Sequence, residues 1–193
     1  VTPGATAVIL AGGGATRMGG EKALRSLRGR SLLQIALDTA RAVCDELVVA
    51  TGTREFALPP GVMAAPDAPE HLGAGPLAGV AAGLAAASRP RVLVLACDLP
   101  HVTPALARAL LVALDHADAA WCRHDADEPL LAALKRDAAR AAVDAALRAG
   151  RHKVIPVWQS LNACVITGAE LAALGDPAWL FANVNTPADL ESA

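Results

Sequence analysis

Arg91-Val92-Leu93-Val94-Leu95-Ala96-Cys97 is apolar from its second residue to its last, without the alternation of a strand that has one wet face. Bounded by Arg89-Pro90 and by Asp98-Leu99-Pro100, it reads as a central parallel strand covered on both sides. Parallel neighbours need crossover helices, and the flanks supply them. Pro76 starts an Ala-rich helix that runs to about Ser88, and Thr103-Pro104 opens another, with Thr as cap and Pro at its first position. Further out, Ala7 to Ala11 is a strand that ends in three glycines, and Ser31 caps a helix that reaches Val43. Leu47 to Ala50, Val62 to Ala65, Ala119 to Cys122 and Leu130 to Leu134 read as strands, and Asp137 to Ala149 as a helix closed by Gly150. The order β-α-β-β-α-β-α predicts a single α/β domain over 1–193: a Rossmann-like, doubly wound, mostly parallel sheet flanked by helices. Residues 118–159 break the rhythm and are expected as an additional lobe.

Composition narrows the function. The 193 residues are 54% hydrophobic and 19% charged, which excludes a disordered chain. A formal charge of −2 with no basic block argues against nucleic-acid partners. No apolar run is long enough for a transmembrane helix, and no basic stretch precedes the first strand, so a cytoplasmic protein is expected. Cys44, Cys97, Cys122 and Cys164 form no CxxC pair and read as small hydrophobes in a reducing compartment. Trp121, Trp158 and Trp179 are expected in the core or at an interface, and His101 and His124 carry no catalytic pattern.

The chemistry lies in Leu10-Ala11-Gly12-Gly13-Gly14-Ala15-Thr16-Arg17-Met18-Gly19-Gly20-Glu21-Lys22. Glycines at a strand's carboxyl end let backbone N–H groups reach phosphate oxygens, at the edge where open α/β sheets bind ligands. It is not a P-loop, because Ala23 stands where Ser or Thr would hold magnesium. Nor is it a dinucleotide fingerprint, because Arg17 occupies the third glycine position. A solvated glycine turn is the bland alternative. The cations Arg17 and Lys22 beyond the loop favour phosphate binding.

This segment resembles the LAGGxSxRMGxDK signature of the molybdenum cofactor guanylyltransferase family, with Thr16 for Ser and Glu21 for Asp. Gly75-Pro76-Leu77-Ala78-Gly79, Cys97-Asp98-Leu99-Pro100, Glu128-Pro129-Leu130-Leu131-Ala132-Ala133-Leu134 and Asn183-Val184-Asn185-Thr186-Pro187 match further family segments in order. The resemblance implies a nucleotidyltransferase fold and transfer of GMP from GTP to the terminal phosphate of molybdopterin, with release of pyrophosphate. It implies Mg2+ as cofactor, and transient contacts with cofactor-synthesis and recipient enzymes. LAGG with GPLAG accompanies guanine in the family, whereas related cytidylyltransferases tend towards LAAG. The alternatives are a cytidylyltransferase for the same pterin, a sugar-phosphate nucleotidyltransferase, or a non-catalytic cofactor-delivery adaptor.

Nucleotidyl transfer on an acidic protein needs local cations. By resemblance Lys22 meets the transition-state charge and Arg17 the departing phosphates. Asp98, at the end of the apolar strand, is the expected metal ligand and third catalytic residue; its alternative is a cap of the Thr103 helix. Asn185 is a second metal candidate, against an Asx turn. The nucleotide is expected to touch Leu10, Ala11, Gly12, Gly13, Lys22, Thr51, Asp67, Gly75, Pro76, Leu77 and Asp98. Arg151, Lys153 and Asn183 are acceptor-side candidates, although cations after Gly150 also suit a solvated helix end.

Overall fold

The computed structural model describes residues 4–12 and 22–184. Strand β1 (Ala5–Leu10) is the pivot, with β4 (Glu46–Gly52) on one side and β6 (Arg91–Ala96) on the other, both parallel to it. Among the described residues the sheet has seven strands in the order β5-β4-β1-β6-β8-β7-β9. Here β5 is Val62–Pro66, β7 Ala119–Arg123, β8 Asp127–Lys135 and β9 Ala163–Ile166. A two-stranded hairpin, β2 (Ser26–Leu27) and β3 (Arg30–Ser31), stands apart from it.

The break in rhythm after Asp118 is a change of direction. Only residues 124–126 join β7 to β8, too few for a crossover, so the two pair antiparallel. Strand β8 then lies antiparallel against β6, from Arg91↔Lys135 to Leu95↔Leu131. Residues 118–159 therefore continue the main sheet rather than stand as a lobe of their own.

Alternation along β1 feeds two apolar layers. Ala5, Ala7 and Ile9 pack towards α1 (Leu32–Arg41) and α3 (Pro104–Ala113). Val8, with Val48 and Val94, packs towards α2 (Pro76–Ala86), α4 (Arg136–Arg148) and α5 (Val154–Gln159). Ser31 Oγ accepts from Gln34 N at 3.1 Å and Thr103 Oγ from Leu106 N at 3.2 Å, so both expected caps form. Two short helices, α6 (Gly168–Ala172) and α7 (Pro177–Leu180), close the first layer.

Trp121 and Trp158 are fully buried, but Trp179 is 46% exposed and is not a core residue. All four cysteines are free thiols. Burial is the main cause that pushes the Cys44, Cys97 and Cys122 thiols up to about 12.

Candidate active site

From β1 the chain moves outward to β4 and β5, and α2 then carries it back to β6 on the other side of β1. Connections that diverge about one strand leave a crevice beyond its carboxyl end. A cavity of about 590 Å³ occupies that place, within the range of small-molecule sites. Leu10, Ala11 and Gly12 form its floor, and Gly75, Pro76 and Gly79 of the α2 start form one wall. Lys22 and Asp98 stand at its charged end.

Gly12 is set by backbone contact as well as by any phosphate. A Cβ on it would lie 2.3 Å from the Gly52 nitrogen and 2.6 Å from the Thr51 carbonyl carbon. Gly52 itself has φ 64°, a left-handed conformation. Ala11 N and Gly12 N both donate to Ala50 O at 3.0 Å, which ties the loop's start to β4.

Lys22 opens a short 3-10 turn (Lys22–Leu24), and its Nζ donates to Asp98 Oδ2 at 2.6 Å. A cation in the turn after β1 and a carboxylate just past the end of β6, 76 positions apart in sequence, are thus brought together. The expected alternative for Asp98, a cap on the following helix, is not what forms: Thr103 caps that helix itself. Val184 N donates to Asp98 O at 3.1 Å, so the segment carrying Asn183 passes directly over the Asp98 backbone. Arg17, Gly13 and Asn185 lie outside the described residues.

Asp67 sits at the opposite side of the cavity from the ion pair's strand. Its N donates to Gly52 O at 2.9 Å, while its Oδ1 is buried with no hydrogen-bond partner. Burial raises its proton affinity, and the nearby His71 opposes that rise. An unsatisfied buried acceptor costs roughly 1–3 kcal/mol and favours a ligand N–H or O–H at that point.

Two expected nucleotide contacts are displaced. Thr51 is 2% exposed and does not line the cavity; Ala50 and Gly52, of the opposite strand parity, do, followed by Thr53. Leu77 is fully buried in the core beneath α2, while Pro76 and Gly79 face the cavity. Arg151 and Lys153 are exposed in the loop after α4 and do not line it. That helix begins beside Ala87 and Ser88, whose carbonyls accept from Arg136, and α5 returns to β8 where Trp158 Nε1 donates to Pro129 O.

Glu128 stands in the sequence only within a motif, yet its charge is coupled to that of Asp98. The β6–β8 ladder runs to Leu95↔Leu131, which brings the start of β8 towards the end of β6 that carries Asp98. Burial first, and then the Asp98 charge, raises the Glu128 proton affinity. Strand-register arithmetic across the predicted β6 and β8 is the signal that would have found it, once their pairing was assumed.

A glycine-lined cleft at a sheet switch point, with a cation, a carboxylate and an unsatisfied acceptor spaced along it, defines a nucleotidyltransferase. The comparisons agree. Residues 7–163 match the MobA-like NTP transferase domain, and the chain belongs to that family. It is 36% identical over 190 residues to a protein of Pelotomaculum thermopropionicum named probable molybdenum cofactor guanylyltransferase, covering 98% of this chain and 91% of that protein. A molybdenum cofactor guanylyltransferase of Desulfosudis oleivorans is 31% identical over 191 residues, with 97% and 93% covered. Among solved structures, molybdopterin-guanine dinucleotide biosynthesis protein A from Archaeoglobus fulgidus superposes with a TM-score of 0.78 at 26% identity, covering 97% and 95% of the two chains.

Proposed function

We propose that this chain transfers GMP from GTP to the terminal phosphate of molybdopterin. The observation that carries the reading is the Lys22–Asp98 pair at the head of the glycine-lined cavity. The family membership and the relatives' names support the same reaction and the same two substrates.

In the proposed step an oxygen of the acceptor phosphate forms a bond to the α-phosphorus. The bond from that phosphorus to the bridging oxygen breaks, and pyrophosphate leaves with the electron pair. A phosphate monoester is already anionic, so the enzyme's task is placement and charge compensation rather than proton abstraction. The Lys22 Nζ lies where charge builds on the reacting phosphate, and Arg17 is proposed to follow the departing pyrophosphate. Asp67 Oδ1 accepts from the nucleoside. LAGG and GPLAG favour guanine at the base.

The residues at Asp98 fit a divalent cation. Lys22 Nζ holds Asp98 Oδ2, and burial first and then the Asp98 charge raise the Glu128 proton affinity, so negative charge gathers on this side of the site. Among the described residues no three metal-binding side chains converge, so the substrate's phosphates are proposed to complete the shell around Mg2+. Asp98 would hold it, with Asn185 proposed beside it. Bound there, the cation would supply charge neutralisation of the triphosphate. No helix among the described residues is long and apolar enough to cross a membrane. The proposed setting is the cytoplasm, with transient hand-over contacts to cofactor-synthesis and recipient enzymes.

The experiment is nucleotide-dependent pyrophosphate release with Mg2+ and molybdopterin, comparing GTP with CTP. Release with GTP alone, dependent on the pterin, is the expected result. Preference for CTP would overturn the base assignment, and binding without release would overturn transferase chemistry on this acceptor.

A further inference from the structure

Trp179 and His101 form a feature that the nucleotide cavity does not use. Their ring centroids are 3.8 Å apart with planes inclined by 29°, a stacked pair. The chain is only 3% aromatic, and its other two tryptophans are buried to 0–1% exposure, yet Trp179 is left 46% exposed. His101 covers one face of the indole, and solvent reaches the remainder. His101 Nε2 is buried without a hydrogen-bond partner.

Both residues are tethered to Asp98. His101 follows it by three positions, at most about 11 Å of chain. Trp179 lies five positions before Val184, whose N–H donates to the Asp98 carbonyl. Neither lines the nucleotide cavity, so the stack is beside the metal carboxylate but outside the GTP site. Arg28 stands at the tip of the β2–β3 hairpin, where Arg28 (φ 51°) and Gly29 (φ 80°) make a tight left-handed turn. It is close enough to His101 for its positive charge to oppose imidazole protonation, after burial, which opposes it more.

We propose that the Trp179–His101 stack is the platform on which the second substrate's flat fused ring lies, with Arg28 offering positive charge to its anionic substituents. This rests on the guanylyl-transfer reading. A substrate whose phosphate must reach Asp98, while its ring stays outside the nucleotide cavity, has this surface within reach. The exposed part of the indole supplies a stacking surface that the planar pyrimidine end of a pterin can use and that a sugar phosphate would not. His101 positions the indole by covering its inner face.

The test uses the full chain with Mg2+, GTP and molybdopterin. W179A is expected to raise the acceptor KM on the order of tenfold, the scale of one lost base-type stack, with GTP KM and kcat at saturating acceptor within about twofold. W179F should recover most of the loss. In a separate binding readout, molybdopterin without nucleotide is expected to quench the protein's fluorescence, and W179F, which keeps the two buried tryptophans, should lose that quench. An unchanged acceptor KM in W179A, an equal rise in GTP KM, or quenching that persists in W179F would each overturn the platform. If the wild type fails to turn over molybdopterin, the guanylyl-transfer reading falls; quenching lost in W179F would then still support the platform, and absent quenching would sink it independently.

Discussion

Gly83 and Gly79 lie one turn apart on α2, and the structure gives them opposite fates on substitution by alanine. A Cβ at Gly83 would sit 2.2 Å from Val8 Cγ1, 2.8 Å from Cγ2 and 3.0 Å from Cβ. Val8 is fully buried on the central strand, and its β-branch leaves no rotation that removes both methyls. Ordinary contact begins near 3.4 Å, so α2 would have to lift by about an ångström, against an overpacking cost of about 1–3 kcal/mol. Alanine in a helix recovers about 1 kcal/mol. The net loss is up to about 2 kcal/mol, or a fall in Tm of up to about 8 °C for a domain of this size. At Gly79 the added Cβ meets Leu10 Cδ2 at 3.4 Å and Ala50 Cβ at 3.5 Å, and lies 4.0 Å from the unpartnered Asp67 Oδ1. Gly79→Ala should therefore hold or raise Tm but increase the GTP KM, because the new methyl enters the cavity. Thermal unfolding and steady-state kinetics on the two variants separate these outcomes. A Gly83→Ala protein that unfolds at a higher temperature than wild type would refute the packing argument.

Lys22→Ala should lower kcat about 100-fold, the scale of one lost transition-state donor, and Asp98→Asn should abolish turnover while GTP still binds; unchanged turnover in Asp98→Asn would remove the metal assignment. Glu46 is held below the usual carboxylate range: burial alone would raise it, but hydrogen bonds from Thr6 and Ser88 and the Arg89 charge prevail. A depressed folded-state value adds stability that is present above the unfolded pKa near 4.3 and is lost as pH falls through the lower folded value. Glu46→Gln should thus destabilise at pH 7, by no more than about 1 kcal/mol once solvent screening of this carboxylate is counted, with the gap to wild type closing as pH falls below about 4 in denaturant titrations. Cys44, Cys97 and Cys122 are buried with thiols pushed up to about 12, whereas Cys164 is half-buried. Ellman's reagent at pH 8 should find one fast thiol in the native protein and four after denaturation; a second fast thiol would contradict the burial of that group.

Local signals determined most of the fold. The β6 run, the Ser31 and Thr103 caps and the Pro76 helix start all formed where residue chemistry demanded them, because each depends on neighbours within four positions. The direction of β8 does not depend on such neighbours. It follows from a connection too short to cross the sheet, and the apolar pattern of Leu130–Leu134 is the same for either direction. Reading 118–159 as a lobe within the single domain took a reversal of strand direction for a break in the sheet.

The site divides along the same line. Lys22, Asp98 and Gly12 line the cavity, and strand ends and glycines mark such positions along the chain. Thr51 was misplaced because a contact inferred from position ignored parity: Ala50 and Gly52 share the cavity face, and Thr51 must then point the other way. The Glu128–Asp98 charge interaction and the Trp179–His101 stack were not legible, since neither follows from spacing along the chain. Glu128 and Trp179 both come from the part of the chain after the parallel half-sheet. On the proposed reading the nucleotide half of the site is written in local motifs, whereas the half facing the second substrate is assembled by tertiary pairing. For that reason a sequence motif can name the nucleotide more readily than the acceptor, and the acceptor must be tested on Trp179 rather than on the glycine loop.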